Sequence, residues 1–404
     1  MSERVEDSLD SDQETGTSKD QPLLQDRIKD KPRNSPHSRQ NGHTPGKHPN
    51  PDRNHYIPKR SGPTIYGALD LGTNNCRLLV ARPSRRGFQV VDAFSRIIRL
   101  GEGVSQTGRL SDAAIERTLE ALKVCSDKLA RRDVRRSRLI ATEACRIASN
   151  GHDFVSRVQQ ETGLKLEVVS RETEARLAVA GCATLLDASC DRALVFDIGG
   201  GSTELIWVDL RKLEHRSKRH GRSTRARLQN AIVGWTSMPV GVVTMAERFG
   251  GRTVDEALFE AMVGDVIEKL NPFKNELEPL GGNILERMHL LGTSGTVTTI
   301  AGIHLKLACY VRSRVDGVWM NECEIRSVSR ELVGLSYQER SLQPCIGPDR
   351  ADLVLGGCAI LEGIMRLWPC QRLRVADRGL REGILMSLMS EDQRKRSGQK
   401  KKSR

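Results

Sequence analysis

Apolar positions follow two spacings along most of the chain. From about residue 64, short apolar runs of strand length alternate with segments whose apolar residues recur every three or four positions, as on one face of a helix. One such helix is expected after an N-cap at Ser111, with Ile115, Leu119 and Leu122 aligned and an end near Arg132. Strands that alternate with helices predict an α/β fold.

The same pattern predicts the order of the elements. Strands are expected at 64–71, 76–82, 89–100, 138–141, 165–169, 193–197, 204–210, 231–238, 288–291 and 373–376. Further helices are expected between 141 and 165 and at 172–184, 240–249, 254–270, 297–308, 349–366 and 379–390. Residues 1–60 and 391–404 are polar without periodicity, which predicts two disordered tails. The basic stretch 211–230 predicts an inserted loop.

One unit of this pattern occurs twice. An apolar strand ends in Asp70-Leu-Gly-Thr-Asn-Asn75, and another ends in Asp197-Ile-Gly-Gly-Gly-Ser-Thr203. A return strand follows each loop. This repeat predicts two related α/β domains, at 61–190 and 191–390, with the two loops lining a cleft between them.

Both loops contain residue types that bind phosphate. Glycine lets backbone N–H groups approach an oxygen cluster closely, and hydroxyl and amide side chains add donors. The expected phosphate ligands in the loops are Gly72, Thr73, Asn74, Gly199, Gly200, Gly201, Ser202 and Thr203. Asp and Gly are also common in tight hairpin turns. Two matching loops and a third, Gly292–Thr296, favour phosphate over that simpler interpretation.

The aspartate at the end of each strand needs a different role, because a carboxylate and a phosphate are both negative. Asp70 and Asp197 could hold Mg²⁺, directly or through water, or orient an attacking water. The residues alone leave these two roles open.

Charge and cysteine content narrow the class of protein. The net charge is +13, of which residues 211–230 carry +7, residues 391–404 carry +5 and residues 1–60 carry +1, so the rest of the chain is neutral. A neutral body argues against a nucleic-acid-binding domain but allows a local contact with a polyanion. Ten scattered cysteines, no signal sequence and no apolar run long enough for a membrane span predict a cytoplasmic protein that does not cross a membrane.

Five motifs occur in an order that points to one family. They are Asp70–Arg77, Ser170–Arg176, Asp197–Glu204, Gly292–Thr296 and Asp377–Gly383. The series resembles the bacterial exopolyphosphatase / guanosine pentaphosphate phosphohydrolase (Ppx/GppA) family over about residues 64–390. The resemblance implies two RNase-H-like domains of the actin / sugar-kinase / Hsp70 type around a cleft, in the short form without a C-terminal HD-type domain.

The resemblance also implies a reaction, the attack of water on a terminal phosphoanhydride bond. The family's general base is the second glutamate of a Gly-x-Glu-Glu-Ala-Arg segment, and it falls on Glu174. A positioned carboxylate suits this role. This chain departs from the segment, because Arg171 replaces its glycine and Thr173 replaces its first glutamate.

Other site residues follow from the same resemblance. Asp197 and Glu204 match residues near the metal and the attacking water, so we expect them to bind Mg²⁺ or another divalent cation. Asp70 is then left to position phosphate or water. Arg146 matches an arginine that contacts phosphate, for which its planar fork is suited. Glu143 is a secondary candidate, because the family does not require an acid there.

The expected function is an exopolyphosphatase, which releases orthophosphate from inorganic polyphosphate, since the basic segment 211–230 could bind a long polyanion. The alternatives are a guanosine pentaphosphate (pppGpp) phosphohydrolase and a catalytically weak polyphosphate or nucleotide regulator. A nucleic-acid-binding protein and a sugar or acetate kinase are disfavoured, since aromatic interleaving and an adenosine pocket are not recognisable. We expect polyphosphate or pppGpp as partners, no membrane and no specific nucleic acid; a homodimer remains open.

Overall fold

A computed structural model of the protein describes residues 64–85, 87–214, 224–278 and 287–402. The predicted tail at 1–60 and the centre of the basic segment, 215–223, lie outside these ranges. No helix in the described part of the chain combines the length and the apolar character needed to cross a membrane.

The first sheet has five strands. They are β1 (Tyr66–Leu71), β2 (Asn75–Ser84), β3 (Gly87–Ile97), β4 (Arg136–Ala141) and β5 (Leu166–Val168). Their spatial order is β3-β2-β1-β4-β5. β1, β2 and β3 form an antiparallel meander, whereas β4 and β5 run parallel to β1. Four helices lie between β3 and β5: α1 (Val104–Thr107), α2 (Asp112–Arg131), α3 (Glu143–Ile147) and α4 (Gly151–Thr162).

The second sheet has six strands. They are β6 (Arg192–Ile198), β7 (Thr203–Asp209), β8 (Ile232–Met238), β9 (Met288–Thr293), β10 (Trp319–Asn321) and β11 (Arg372–Ala376). Their order is β10-β11-β9-β6-β7-β8. β6, β7 and β8 form an antiparallel meander, β9 is parallel to β6, β11 is parallel to β9, and β10 adds an antiparallel edge.

The remaining helices of the described chain are α5 (Arg171–Cys182), α6 (Arg211–Glu214), α7 (Thr224–Ala231), α8 (Val242–Phe249), α9 (Glu256–Leu277), α10 (Gly295–His304), α11 (Arg312–Val315), α12 (Glu322–Gly334), α13 (Tyr337–Leu342), α14 (Val354–Leu367) and α15 (Leu380–Lys402). Both sheets share one topology, a meander of three strands followed by parallel strands beside the first. The protein therefore consists of two RNase-H-like domains of the actin type, as the sequence repeat predicts.

The central strands are buried on both faces. In β1, Leu69 belongs to the apolar cluster of α2, whereas its neighbour Ala68 belongs to the cluster of α15. In β6, Leu194 packs toward α9 and α14, and Val195 packs toward α5. Successive side chains of a strand point to opposite faces. Helices on both faces explain why these strands are continuous apolar runs rather than alternating ones.

Helices α5 and α15 approach each other backbone to backbone. A Cβ at Gly181 would lie 1.9 Å from the carbonyl oxygen of Gly379, and a Cβ at Gly383 would lie 2.0 Å from that of Leu177. α15 also packs on the first sheet through Ile384 and its neighbours. The sequence assigns 379–390 to the second domain, but these residues complete the core of the first.

The predicted disordered tail at 391–404 is a second correction, because α15 continues to Lys402. Asp392 accepts a hydrogen bond from the Tyr66 hydroxyl at 2.8 Å, and Arg136 pairs with Glu391 and Asp392. Residues 391–402 are mostly Glu, Gln, Lys and Arg, which are strong helix formers. A helix already docked on the sheet extends through such residues without apolar periodicity.

The loop predicted at 211–230 is partly helical, since α6 and α7 occupy its ends. The long stretch 309–348, for which the sequence pattern predicts no element, contains α11, β10, α12 and α13. α12 carries a capping box, in which Asn321 accepts from the Glu324 amide and Glu324 accepts from the Asn321 amide. This signal was present in the sequence.

The crossing of α5 and α15 yields a stability prediction. Gly383→Ala should lower the free energy of unfolding by about 3 kcal/mol, because the added methyl group collides with a backbone that cannot move independently of the sheet. The matched control is Gly264→Ala in α9, where an added Cβ meets nothing within 4 Å; it should raise that free energy by about 0.5–1 kcal/mol. Urea unfolding followed by circular dichroism measures both. Equal effects of the two substitutions would contradict the close helix contact.

Candidate active site

The two Asp–Gly loops lie at the ends of the central strands and have the same turn. The Gly72 amide donates to the Asn75 carbonyl at 2.9 Å, and the Gly199 amide donates to the Ser202 carbonyl at 2.9 Å. In both loops the donor is the second residue after the aspartate and the acceptor is the fifth. The repeat in the sequence is therefore a repeat of backbone conformation.

The two loops face each other directly. A Cβ at Gly200 would lie 3.1 Å from the Asn74 amide nitrogen, and a Cβ at Gly201 would lie 2.9 Å from Thr73 Oγ1. A side chain at either position would be tighter than most real contacts and would push the loops apart by a few tenths of an ångström, so glycine favours this approach. The cleft between the domains is consequently narrow where the loops meet.

The first loop is held from behind and linked to the second domain. The Asn74 carbonyl accepts from the amides of Ile98 and Arg99, at 2.9 and 3.1 Å. The Arg99 guanidinium donates to both carboxylate oxygens of Asp352 at 2.9 Å. Arg99 thus joins the loop of one domain to the other domain.

Eleven of the thirteen expected site residues line one cavity in this cleft. They are Asp70, Gly72, Thr73, Asn74, Glu174, Asp197, Gly199, Gly200, Gly201, Ser202 and Glu204. The cavity has a volume of about 140 Å³. A single water needs only about 10–15 Å³ on this measure, so the cavity can hold one phosphoryl group and the water around it.

Thr203 does not belong to this set. Its side chain is fully buried, and its hydroxyl donates to the Val240 carbonyl at 2.7 Å. Ser202 and Glu204, the residues on either side, line the cavity and are hydrogen-bonded to each other at 2.7 Å. Because side chains alternate along an extended strand, the residue between them points away. The predicted phosphate contact of Thr203 is wrong.

Arg146 is the other correction. It donates through Nε and Nη2 to Glu143 Oε2, at 3.0 and 2.7 Å, through Nη2 to Glu174 Oε2 at 3.0 Å, and through Nη1 to the Val169 carbonyl. Each of its three nitrogens is engaged, and it does not line the cavity. In this structure Arg146 supports Glu174 from behind instead of facing a phosphate.

Buried carboxylates dominate the electrostatics of the cleft. Burial raises the pKa of Asp197 to about 7, and the charges of Glu204 and Asp70 add to the effect. The pKa of Glu174 lies well above its ordinary value, because the group is buried and faces Glu204, although Arg146 opposes the shift. Burial likewise raises the pKa of Glu204 and of Asp70. The cleft therefore favours a bound proton or a cation beside these groups.

Asp197 and Glu204 are the residues best placed to hold a divalent cation. They lie directly opposite each other on β6 and β7, so their side chains share one face. The Asp197 carboxylate accepts no hydrogen bond from the described residues, whereas Glu204 Oε1 accepts from Ser202 and Ser237. Among the described residues no group of three Asp, Glu, His or Cys side chains could hold a metal. This donor set fits Mg²⁺, which is commonly bound by one or two carboxylates with waters and substrate oxygens.

The third Gly-rich loop also reaches the cavity. Ser294 has a φ of 108° and precedes the first turn of α10, from which Gly295 and Thr296 line the cavity. The buried atoms Asn74 Oδ1, Asn75 Oδ1 and Ser294 Oγ have no hydrogen-bond partner among the described residues. The first turn of a helix favours an anion, and the Ser294 hydroxyl could donate to one. The two amide oxygens are acceptors, so they favour a ligand or water that donates hydrogen bonds, or a cation.

Sequence reasoning missed the cationic side of the cleft. Arg77, Arg350 and Arg381 face a chamber of about 500 Å³ that adjoins the cavity. Asp70 and Asp197 line both spaces, as do Arg77 and Arg350. The side chains of these three arginines make no hydrogen bond or ion pair with the described residues. Two further arginines of the chamber pair with acids, Arg378 with Asp316 and Arg312 with Glu382. Arg77 could have been recognised, since its register places it opposite Asp70.

Two RNase-H-like domains that face each other across Gly-rich loops place this chain in the actin-like class of proteins. Within this class, the model of the Ppx/GppA phosphatase family matches residues 79–392. The chain belongs to the Ppx/GppA phosphatase family, whose members are hydrolases.

Solved structures agree with this assignment. The family member from Aquifex aeolicus is 26% identical, with a TM-score of 0.64, and the match covers 81% of this chain and 98% of that one. An exopolyphosphatase-like protein is 27% identical, with a TM-score of 0.69 and coverage of 80% and 97%. An exopolyphosphatase from Cytophaga hutchinsonii, at 22% identity, a TM-score of 0.70 and coverage of 81% and 98%, shares the fold.

The alternation at the second loop can be tested. Thr203→Val should lower the free energy of unfolding by about 1–2 kcal/mol, because the Val240 carbonyl loses its buried donor. Its kcat and KM should stay within about twofold of the wild-type values, since no atom of the side chain faces the cavity. Ser202→Ala should instead lower kcat/KM with little loss of stability. Urea unfolding and a phosphate-release assay distinguish the two; a large rise in KM for Thr203→Val would restore its role in binding.

Proposed function

We propose that the protein is an exopolyphosphatase, which hydrolyses the terminal phosphoanhydride bond of inorganic polyphosphate and releases orthophosphate. The observation that carries the proposal is the shape and charge of the cleft. An inner cavity of about 140 Å³ accommodates one phosphoryl group, and the adjoining chamber of about 500 Å³ presents three arginines that are unpaired among the described residues. Such a site suits a linear polyanion whose end is inserted and whose remaining phosphates contact the arginines.

The proposed reaction is a single displacement at phosphorus. Water attacks the terminal phosphorus atom, the bridging P–O bond breaks, and the shortened polyphosphate leaves with the bridging oxygen. Glu174 accepts a proton from the water, for which its raised pKa and its place in the cavity suit it. The loop amides of Gly200 and Gly201 and the first turn of α10 stabilise the charge on the transferred phosphoryl group.

Mg²⁺ is part of the proposal. Asp197 and Glu204 would hold it, and Asp70, which lies opposite Arg77 on the first sheet, would position phosphate or water. When bound, a divalent cation neutralises phosphate charge in the transition state. It would also offset the mutual repulsion of the buried carboxylates.

The second candidate is pppGpp 5′-phosphohydrolase. The same inner cavity would accept the terminal phosphate of pppGpp, and the arginines of the chamber would serve the remaining phosphates equally well. The cleft chemistry is common to both substrates. A catalytically weak regulator is disfavoured, because Glu174, Asp197 and Glu204 line one cavity together.

The central test is a phosphate-release assay with polyphosphate and pppGpp side by side, with and without Mg²⁺. We expect release from polyphosphate to be faster and to disappear when a chelator removes the metal. Glu174→Gln should lower kcat by a factor of about 100 or more, because the amide cannot accept the proton, while the unfolding curve stays unchanged. Near-wild-type turnover of this variant would refute the assignment of the base, and faster release from pppGpp would favour the second candidate.

The arginines of the chamber provide a separate test of substrate binding. Arg350→Met should raise KM for polyphosphate about tenfold, because a charge-assisted contact with phosphate is lost, and should change kcat much less. The effect should shrink at high salt, where the contact is already screened. The control is Arg248→Met, which removes an arginine that pairs with Asp265 and lines neither the cavity nor the chamber. The same KM for both variants would show that the chamber does not hold the substrate.

A further inference from the structure

Glu143 is a buried acid in the cleft whose position the reaction does not explain. It is 3% exposed, lies in the first turn of α3 and lines the cavity beside the Gly-rich loop. Arg146 donates two hydrogen bonds to its Oε2, and Arg171 donates to Oε2 at 3.1 Å and to Oε1 at 2.5 Å. Burial alone would raise the pKa of Glu143, but the hydrogen bonds from Arg171 and Arg146 outweigh it and hold the pKa below its ordinary value. Glu143 is therefore a fixed negative charge.

Arg146 connects this charge to the general base. Its Nη2 donates both to Glu143 and to Glu174 Oε2, and its Nη1 donates to the Val169 carbonyl at the end of the first sheet. The plane of the guanidinium is thus held on three sides. As a result Glu174 receives a single N–H, and its other oxygen, Oε1, accepts no hydrogen bond from the described residues.

The geometry without Glu143 would be different. An arginine beside a carboxylate prefers a paired arrangement, with two parallel N–H groups on the two oxygens. Arg146 adopts no such arrangement with Glu174, because Glu143 takes its Nε and shares its Nη2. Loss of the Glu143 charge would free Arg146 to donate to both oxygens of Glu174. Glu174 would then be turned away from the cavity, and its lower pKa would make it a weaker base.

Arg171 completes the arrangement. It occupies the first position of α5, where the family segment has glycine, and its side chain is 38% exposed. From there it reaches Glu143, which lies at the start of α3. Two arginines and two glutamates together are neutral, so the acid at 143 and the base at 171 compensate each other. Arg171, which departs from the family segment, is therefore the partner of Glu143.

We propose that Glu143, with Arg171, is a positioning residue that restrains Arg146 so that Glu174 keeps one oxygen open to the attacking water. We call Glu143, Arg146 and Arg171 the Glu143 clamp. The clamp does not touch the phosphoryl group in this scheme; it acts through Glu174. The proposal rests on the role of Glu174 as the general base.

The test compares Glu143→Gln with the wild type and with Arg157→Gln, an exposed arginine of α4 that pairs with Glu116 and Glu161. Glu143→Gln should lower kcat for polyphosphate between about 10- and 100-fold, as expected for a misplaced reacting group, with KM within about threefold. The control should keep the wild-type values. A rise in KM with an unchanged kcat would make Glu143 or Arg146 a binding residue and would overturn the proposal.

The pH profile supplies a readout that a purely structural role would not move. Glu174 faces Arg146 of α3, Glu204 of β7 and Asp70 of β1, and Arg171 lies on its own helix. Without the negative charge of Glu143, the positive charge of the two arginines acts more strongly on Glu174 and lowers its pKa. The acid limb of the kcat profile should therefore move to lower pH. Adding Arg146→Gln to Glu143→Gln should recover part of the lost kcat, because the competing guanidinium is gone. A profile that stays in place, or a double variant with no recovery, would contradict the clamp.

Two further measurements decide the remaining outcomes. If Glu143→Gln does not fold, Arg171→Gln serves instead, because the Arg171 side chain is partly exposed. A lowered kcat with unchanged KM supports the clamp, and wild-type kinetics overturn it.

A crystal structure of Glu143→Gln tests the clamp without any assay, since Arg146 should leave the Val169 carbonyl and pair with both oxygens of Glu174. Wild-type turnover of Glu174→Gln would overturn the proposed base and with it the catalytic role of the clamp. If Glu174→Gln loses turnover and Arg146 keeps its contacts in the Glu143→Gln crystal structure, the clamp alone is overturned.

Discussion

Buried negative charge is the constraint around which this cleft is organised. Asp70, Glu174, Asp197 and Glu204 all line one small cavity, and burial raises the pKa of each of them. Uncompensated carboxylates in such a place would be costly. Two arginines offset this charge: Arg146 contacts Glu174, and Arg77 lies on the strand beside Asp70. A cation at the proposed site, Asp197 and Glu204, would offset more of it. The negative charge that these groups leave uncompensated is the charge that can act on a ligand.

The duplicated unit explains how these opposite requirements fit into one fold. The two loops have the same turn, yet the residue seven positions after each aspartate is Arg77 in the first domain and Glu204 in the second. In both sheets this residue lies directly across from the aspartate. The same backbone therefore places an arginine across from the aspartate on one wall and a glutamate across from it on the other. At these positions positive charge is present on the first wall and only negative charge on the second, and the close approach of the loops brings the two walls together.

Sequence reasoning recovered the parts of the structure that depend on local pattern. The apolar strands, the N-cap at Ser111 and the repeat are visible in neighbouring residues, and the structure confirms all three. It missed the local capping box of α12, and it failed at two helices whose extent or packing depends on contacts distant in sequence. Helix α9 continues through Pro272 to Leu277, beyond the predicted end at 270, because Phe273 and Leu277 pack into the second core. Helix α15 crosses to the first sheet through glycines whose contact partner, α5, lies in the first half of the chain.

In the site, too, the sequence predicted which residues lie near one another better than it predicted their contacts. A motif identifies which residues are near the chemistry but does not say which way they point. Thr203 lies inside the second loop motif and faces the core, because it is the odd member of an alternating strand. Arg146 matches a phosphate-contacting arginine, yet in this chain Glu143 and Glu174 occupy its nitrogens. Two of its hydrogen bonds go to the acid at 143, which the match at Arg146 alone cannot reveal. The role of a charged residue in a buried cleft is set by its whole set of partners, so residues that depart from a family pattern carry as much mechanistic information as those that match it.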